Sequence, residues 1–479
     1  MSDPVRTARS IARVLAVGLI AIGIGATAAP ASAQVLYGSI VGGVTDSQGA
    51  IVPGVTVTIT NKETNLTRET TTNSEGNYSL GNVLPGIYDV KTALQGFREV
   101  IRQNVPVSVG QVSRVDVVLE VGALTETVTV ESRSELMQTD TADVHTELRG
   151  TEITALPLNQ FRNYQALVNL VPGSVPMRFQ NAETDTPARS LTSEVNGQAI
   201  NSNATRTDGA TNVNIWLPSH NMYVSPAETV DTVNISTNNF DAEQGMAGGS
   251  AITVVTKSGT NQLKGSAFEF HNNESLNAKP YFFGTGPSPD KLPISRNIFG
   301  GTAGGPIAKD KVFFFGSYEG YKSTQSLFTF FSVPDERLRR GDFSQALNAN
   351  GTLQVIYDPN TGAANGSGRS PFPNNQIPTN RLNPIALDIM NRLFPQPNIQ
   401  GTGAGGLTNN YQREERRTTD RHNYDVKLNW NRTSSHQIWT KFSYMDATVD
   451  DLTNYLGPDP NAEGDGGFTK VWQFTAGQT

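Results

Sequence analysis

A strictly alternating segment near the end of the chain constrains its fold more than any other feature. From Asn423 to Trp430 apolar side chains take every second position, and Ile438, Phe442 and Tyr444 repeat the pattern after a polar turn. This period of two is that of a β-strand, whose successive side chains point to opposite faces. Apolar residues on one face, polar residues on the other and aromatic ends suit a membrane β-barrel with lipid outside and water inside. One hairpin of a soluble β-sandwich would show the same pattern, so the rest of the chain has to separate the two.

The N-terminus carries the features of an export signal. Three arginines precede an apolar run, Val14–Ala26, that is too short to cross a bilayer as a helix. Ala31-Ser32-Ala33 follows as a small-residue cleavage site, which predicts cleavage between Ala33 and Gln34. No later segment approaches the ~18 consecutive apolar residues of a membrane helix, so any later span has to be made of strands.

The composition excludes several classes of function. The 479 residues contain no cysteine and five histidines, and the formal net charge is −7. An exported chain without cysteine has no disulfides and no thiolate metal site. The negative charge argues against nucleic acid as a partner. We therefore expect no metal, no cofactor, no catalytic residues and no enzymatic activity.

Residues Gly38 to Val121 predict a small all-β sandwich. Val55–Thr60 and Val115–Glu120 alternate as half-buried strands, and turns rich in Gly, Pro, Asn and Asp separate the segments. The motifs resemble the carboxypeptidase regulatory-like domain of transthyretin-like topology. The residues that carry this resemblance are Gly43-Val44-Thr45-Asp46, Gly49, Val52-Pro53-Gly54-Val55, Thr72, Gly76-Asn77-Tyr78, Leu84-Pro85-Gly86-Ile87-Tyr88 and Gly96-Phe97. Such domains are grouped with carbohydrate-binding-like folds, but a shared fold does not establish a sugar site. We expect Tyr78, Tyr88 and Phe97 to be core residues.

A Thr-rich, Val-alternating segment follows the sandwich. It contains Thr125, Glu126, Thr127, Val128, Thr129 and Val130, and by itself it is a β-prone linker or final strand that could add to a sheet edge. It also resembles the TonB box of energy-coupled outer-membrane transporters. That resemblance implies a periplasmic TonB-type partner that pairs with the strand and pulls on it.

The next region resembles the plug domain of TonB-dependent transporters of the Oar-like type. The pieces that carry the resemblance are Leu156-Pro157-Leu158-Asn159, Val195-Asn196-Gly197-Gln198, Thr207-Asp208-Gly209-Ala210, Pro226-Ala227-Glu228-Thr229-Val230, Phe240-Asp241-Ala242-Glu243-Gln244-Gly245 and Gly248–Asn261. Their order predicts a mixed α/β domain with strands joined by Gly/Asn turns.

From Leu263 the sequence predicts the first strands of an antiparallel transmembrane barrel. Short turns near Lys309-Asp310 and Thr433-Ser434 alternate with long connections, Asn272–Ser295 and Val333–Arg421, as periplasmic turns alternate with extracellular loops. The strings Phe299–Pro306 and Phe313–Gly320 resemble the first barrel hairpin of Oar-like transporters. About six strands can be placed, whereas a plugged transporter barrel has about 22, so we expect an N-terminal fragment of a longer protein.

Three segments between residues 380 and 420 are interpreted as parts of a loop without a functional site. Gly401–Gly406 formally matches a dinucleotide fingerprint, but Pro395-Gln396-Pro397 precedes it instead of a strand, so we expect a loop. Glu414-Glu415-Arg416-Arg417 is interpreted as a solvated charge run in a polar loop. The apolar pattern from Ile385 to Phe394 predicts a loop helix with one packed face.

The predicted organisation is mainly β and has five parts. They are a signal peptide (1–33), the sandwich (34–122), a TonB-box-like linker (123–139), the plug (140–262) and a partial outer-membrane barrel (263–479). The resemblance implies uptake of a bulky or scarce solute, such as an oligosaccharide, a peptide or chelated iron. The expected partners are TonB, outer-membrane lipid and that solute. Two other functions stay open: a non-transporting surface protein with an adhesive or export role, and a secreted carbohydrate-binding sandwich.

Overall fold

The computed structural model describes residues 36–122, 127–131, 144–158, 161–178, 189–240, 244, 247–279, 291–451 and 466–479. The predicted cleavage site at Ala33 and Gln34 lies outside these residues, as do Thr125, Glu126 and part of the plug motifs (Asn159, 241–243 and 245). Among the described residues, no helix is long and apolar enough to cross a membrane. The described chain is mainly β, as predicted. Its strands form a sandwich, one long sheet and a smaller sheet, which we call the plug sheet because it lies in the region whose sequence resembles a plug.

The sandwich contains nine strands in two sheets. They are β1 (Gly38–Asp46), β2 (Thr56–Asn61), β3 (Thr67–Thr71), β4 (Asn77–Val83), β5 (Gly86–Ala93), β6 (Glu99–Val107), β7 (Val112–Arg114), β8 (Val117–Leu119) and β9 (Thr127–Glu131). β1 pairs with β4, β7 and β8, and the second sheet has the order β3-β2-β5-β6-β9. The inward side chains of both sheets form one apolar core, because alternate residues of each strand point to the same face. Tyr78 and Tyr88 are buried in it and Phe97 packs against it, so the prediction that they are core residues is confirmed.

β9 joins the sandwich from a separate part of the chain. It runs parallel to β6, with Glu99 opposite Thr127 and Gln103 opposite Glu131. Val128 packs against the sandwich core, whereas Thr129 is exposed. β9 is the last strand of its sheet in the described structure, so its other edge faces no further strand.

The plug sheet lies between the sandwich and the long sheet in sequence. Its strands are β10 (Val144–Arg149), β11 (Ala204–Thr207), β12 (Ala210–Thr211), β13 (Val230–Asn238) and β14 (Ala251–Thr256), in the order β10-β13-β14-β11-β12. One short helix, α1 (Gly150–Ala155), and 3-10 turns at Tyr164–Leu170, Ile200–Ser202 and Ala227–Thr229 complete it. The plug core includes Met445 of the long sheet, and a second small cluster joins Phe161 of the plug to Ile298 and Tyr321. The plug and the long sheet are therefore packed through a shared apolar interior.

The long sheet, called the barrel sheet below, is an antiparallel meander of six strands. They are β15 (Lys264–Asn273), β16 (Ile294–Ala308), β17 (Val312–Phe331), β18 (Tyr411–Asn431), β19 (Gln437–Asp451) and β20 (Gly466–Gln478). The connections at one end, after β16 and β18, are short turns, and those at the other end are long. We call these the turn end and the loop end. On β18 Tyr424, Val426 and Trp430 are exposed, while Asp425 and Lys427 are buried against the plug, which confirms the predicted two-faced alternation.

At the loop end β18 is longer than predicted. β18 begins at Tyr411 instead of after Arg421, so Glu414–Arg417 is part of a strand and not of a loop. The backbone ladder with β17 continues there, from Gln325 opposite Arg417 to Phe331 opposite Tyr411. Because that ladder consists of backbone hydrogen bonds, it can extend a strand whose side chains are polar.

Two short helices lie in the long connection between β17 and β18. They are α2 (Glu336–Arg339) and α3 (Pro384–Leu393). α3 confirms the predicted loop helix, but none of its ten residues is buried. Ile385 and Ile389 are 69% and 48% exposed, so the prediction of a packed face is wrong. Gly401–Gly406 holds only a 3-10 turn closed by a bridge between Thr402 and Thr408, as expected of a loop.

Candidate functional site at the plug–barrel interface

The site begins with a tight turn in the plug. β11 and β12 form a hairpin in which Thr207 pairs with Ala210, which leaves Asp208 and Gly209 as its two turn residues. Both have positive φ, 46° and 79°, as a two-residue hairpin turn requires, and Asp-Gly is a preferred pair for it. The turn places the Asp208 carboxylate at the hairpin tip, where it is 1% exposed.

Two lysines of the barrel sheet converge on Asp208. Lys427 of β18 donates to Asp208 Oδ1 at 2.9 Å, and Lys441 Nζ of β19 lies 3.4 Å from Oδ2. Thr256 at the end of β14 donates to the same carboxylate from its hydroxyl at 2.6 Å and from its backbone at 3.1 Å. Lys427 also donates to the Thr256 carbonyl at 3.0 Å. The carboxylate is thus held from both sides, by its own domain and by the barrel wall.

A second carboxylate continues the same network along the barrel wall. Asp425 of β18 accepts from the Tyr223 hydroxyl of the plug at 2.7 Å and from the Ser443 hydroxyl of β19 at 2.6 Å. Lys441 Nζ lies 3.7 Å from Asp425, between the two carboxylates. We call these seven residues the plug–barrel network: Asp208, Tyr223, Thr256, Asp425, Lys427, Lys441 and Ser443.

The electrostatics of the plug residues follow from their burial and their partners. Burial by itself would raise the pKa of Asp208, but Lys427, Lys441 and the Thr256 hydrogen bond outweigh it and lower that pKa to about 2. Burial raises the pKa of Tyr223 well above its usual value, and the neighbouring Asp425 acts in the same direction. The network therefore contains a charged Asp208 and a neutral Tyr223 at neutral pH.

A second ionic cluster lies nearer the loop end. Arg162 of the plug pairs with Glu228 at 3.0 Å and its guanidinium lies 3.8 Å from the centre of the Phe270 ring of β15. Glu319 of β17 and Arg421 of β18 form a buried pair at 3.5 Å. Arg162 thus ties the plug to the barrel sheet through an aromatic face, while its ion pair with Glu228 lies within the plug.

This arrangement can hold the plug against the barrel sheet. Buried pairs cost several kcal/mol to break when one partner is removed, because an unpaired charge is left out of water. Within the described ranges, no three His, Asp or Glu side chains lie close enough together to hold a metal ion. The chemistry that the site supports is the reversible breaking and remaking of ion pairs.

A chamber lies beside the network at the turn end. Its volume is about 560 Å³, and residues of the sandwich, the plug and the barrel sheet line it. Asn429 Oδ1 and Asn431 Nδ2 of β18, both lining residues, are buried atoms without a hydrogen-bond partner in the structure. Such a space is large and polar enough to hold water.

The candidate strand of the sequence analysis lies apart from the network. Of its six residues, Thr127 to Val130 are described and belong to β9 of the sandwich. The network itself was not among the predicted sites. The signal available for it was the alternation that places Asp425, Lys427 and Lys441 on the inward face, together with the Asp-Gly turn. Neither pattern predicts that these residues are in contact with one another.

Comparison with known proteins assigns both ends of the chain. Residues 39–120 match the carboxypeptidase regulatory-like domain, and residues 255–479 match the outer membrane beta barrel domain. Over 322 residues the chain is 28% identical to the TonB-dependent transporter Oar of Myxococcus xanthus. The match covers 62% of this chain and spans 29% of the length of that relative.

Two solved receptors are among the structures that the chain matches. The siderophore receptor PirA from Acinetobacter baumannii is 13% identical, with 69% of this chain and 44% of that chain covered and a TM-score of 0.30. The ferric enterobactin receptor PfeA from Pseudomonas aeruginosa, solved as a mutant, is 11% identical, with 69% and 38% covered and a TM-score of 0.33. The assignment rests on the domain matches and the Myxococcus relative. The chain thus carries a carboxypeptidase regulatory-like domain and an outer membrane beta barrel domain, is similar to a TonB-dependent transporter of the Oar type, and is located in the outer membrane.

Proposed function

We propose that this protein is a receptor-transporter that takes up a bulky or scarce solute, with energy supplied by a TonB-type partner in the periplasm. The solute classes are an oligosaccharide, a peptide or chelated iron, and the protein itself performs no enzymatic step. The observation that carries the proposal is the plug–barrel network, in which charges on the plug are buried against oppositely charged groups of the barrel sheet.

The network supports transport because it is a strong but non-covalent closure. Lys427 and Lys441 are 8% and 2% exposed at their side chains, and Asp208 is 1% exposed. Water cannot screen such pairs, so they hold the plug closed until work is done on it. Once the plug moves and water enters, both lysines and Asp208 are solvated, and the same groups can pair again when the plug returns.

β9 supports the energy-coupling step. It is an edge strand in the described sheet, and Thr127–Val130 has the Thr/Val alternation of a strand that can accept a partner. A partner strand added to its outer edge would be held by several backbone hydrogen bonds loaded together. Such an attachment can transmit a pull to the rest of the chain.

The test is a pair of substitutions at Thr129, whose side chain is exposed. Thr129→Pro removes the backbone N–H and should abolish energy-dependent uptake, since the strand then loses a ladder bond. Thr129→Val keeps the N–H and the β-branched shape, so uptake should stay near the wild-type level. Limited proteolysis of the sandwich in both variants shows whether the proline has unfolded that domain.

The same variants separate transport from a purely adhesive or export role. Cells expressing the Thr129→Pro protein, or one from which residues 125–130 are deleted, should still bind the solute at the surface but accumulate none. An adhesin would keep its whole phenotype in both variants. Unchanged uptake with a folded sandwich would refute the energy-coupling proposal.

A further inference from the structure

The sandwich is attached at the turn end of the barrel sheet by exposed polar contacts. Asn65 donates to Asp310 in the turn after β16 at 2.9 Å, and the Asn261 side chain donates to the same carboxylate at 2.7 Å. Glu63 pairs with Lys264, the first residue of β15, at 3.4 Å, and its carbonyl accepts from the Asn261 backbone at 2.9 Å. Glu63 and Asn65 lie in the turn between β2 and β3 of the sandwich. Their partners lie at or near the turn-end termini of β15 and β16.

The contacts between the sandwich and the plug are also polar, but they are less exposed. Asn234 of β13 donates to the Val109 carbonyl at 2.9 Å, and Gln111 lies 2.6 Å from the His145 ring of β10. Tyr37, directly before β1, lies beside Trp439 of β19 and Thr479, which follows β20. In the described chain the apolar core of the sandwich and that of the plug have no residue in common, whereas the plug core includes barrel residues.

The strengths of the two attachments therefore differ. The side chains of Lys264 and Glu63 are 61% and 49% exposed, so their ion pair is screened by water and contributes little. Lys427 and Asp208 are nearly inaccessible, and their pair is costly to break. A force on the chain should separate the sandwich from the barrel before it separates the plug.

The weakly attached sandwich lies on the path that a solute would take out of the barrel. A solute that enters at the loop end has to leave at the turn end, where the sandwich covers the chamber. Glu63 and Tyr88 of the sandwich form one wall of the chamber, opposite Thr151 of the plug and Asn431 of the barrel sheet. Displacement of the sandwich would remove its part of the lining and open the chamber.

We propose that the sandwich is a detachable lid on the turn-end chamber, and that tension on β9 lifts it as a folded unit before the plug–barrel network opens. β9 is hydrogen-bonded to β6, so tension on it passes directly into the sandwich. The statement that a partner supplies the tension rests on the proposed function. The lid itself does not.

A labelling experiment on the intact protein in outer-membrane fragments tests the lid without any solute. Asn431 is buried and lines the chamber, and the chain has no cysteine, so Asn431→Cys gives this chain a single thiol for a bulky maleimide. Glu63→Lys faces Lys264 with a like charge and should raise the labelling rate roughly threefold to fivefold, the size expected for one exposed ion pair. Adding Lys264→Glu restores the pair and should restore slow labelling.

The matched control is Glu120→Lys, which breaks the equally exposed pair with Arg98 inside the sandwich and should leave the labelling rate unchanged. An unchanged rate in Glu63→Lys, or a fast rate that Lys264→Glu does not reverse, overturns the lid.

A crosslink tests the role of the lid in uptake. Asn65→Cys with Asp310→Cys, joined by a reducible thiol crosslinker, should lose uptake and regain it on reduction. Thr58→Cys with Glu69→Cys joins two paired strands inside the sandwich and should transport normally under the same treatment. Normal uptake by the locked protein overturns the lid, whereas absence of uptake in the wild type refutes the proposed function and leaves the labelling result to stand on its own.

Discussion

Asp208 shows how a single side chain can connect two parts of this molecule. Its backbone is placed by a local rule, the preference of Asp-Gly for a two-residue hairpin turn. Its partner Lys427 is 219 residues away, on a strand whose inward positions are polar. Burial of the carboxylate is tolerated because two ammonium groups and a hydroxyl surround it. Removing its charge would leave Lys427 buried without its anion and Lys441 with Asp425 alone.

We expect Asp208→Asn to weaken the attachment of the plug by about 3–5 kcal/mol, the range for breaking a buried ion pair. The asparagine amide keeps the shape of the carboxylate and can still accept a hydrogen bond from Thr256. The loss of stability therefore measures the contribution of the charge. Denaturant unfolding of the purified protein in detergent, followed by tryptophan fluorescence, measures the change. Asp420→Asn, which removes an exposed partner of Lys322, is the control and should cost less than about 1 kcal/mol. Equal effects of the two variants would contradict the assignment.

The same residue predicts an acid transition. The pKa of Asp208 is about 2 in the folded protein, below its ordinary value of 3.8, so the folded state favours the charged form. Its contribution, about 2 kcal/mol by linkage, is complete above pH 3.8 and is lost as the pH falls through about 2. Protease accessibility of the plug should therefore rise across this window in the wild type. The Asp208→Asn protein should be more accessible at every pH, with a smaller rise over the same window.

At the scale of single elements, close approach of neighbouring strands decides which positions need glycine. A Cβ at Gly300 of β16 would lie 2.1 Å from the Tyr318 carbonyl of β17 and 2.9 Å from the Phe268 ring. A Cβ at Gly316 of β17 would meet nothing nearer than the Asp425 carbonyl at 3.8 Å. Both glycines occur in the strings that identify the first barrel hairpin. The structure distinguishes a glycine required by packing from one that is not.

Gly300→Ala should accordingly destabilise the barrel sheet by about 1–3 kcal/mol through overpacking, and Gly316→Ala should be close to neutral. The fraction of protein that keeps its folded electrophoretic mobility after stepwise heating in detergent measures this. A similar midpoint for the two variants would show that β16 and β17 adjust more freely than their spacing indicates.

At the scale of the whole molecule, the described chain forms two bodies. The plug and the barrel sheet make up one, and the sandwich, which is attached to it more weakly, is the other. The plug and the barrel sheet share an apolar cluster that includes Met445, so neither surface is complete without the other. The sandwich has its own core, and Ile59 at its centre is fully buried. It touches the rest through polar groups and the short segment before β1. This division allows one part to move while the other stays folded.

Ile59→Ala should destabilise the sandwich by about 2–5 kcal/mol, as for other large-to-small substitutions in a core. Because the cores are separate, the barrel should keep its folded mobility while a protease removes the sandwich. Immunoblotting with a tag on each side of residue 122 follows both parts. Simultaneous loss of the barrel would show that the two bodies unfold together.

Much of the fold was predictable from local pattern. The alternation in β18 and β19 located a hairpin and its two faces, and the Gly/Pro turns located the strands of the sandwich and its Tyr78–Tyr88 core. These features follow from the period of two and from turn geometry, which involve residues close in sequence. The loop-end part of β18, which begins at Tyr411, was missed because it is rich in charged side chains. Only the backbone ladder with β17 makes that segment a strand.

The sequence by itself determined the kind of each element and the face that each strand turns inward, since side-chain periodicity and turn chemistry act over a few residues. The tertiary structure decided which elements meet: β9 beside β6, Asp208 between Lys427 and Lys441, and the sandwich over the chamber. Those contacts join residues far apart in the chain. They depend on strand register and on the burial of charge with its partner, and neither is written in any local stretch of sequence.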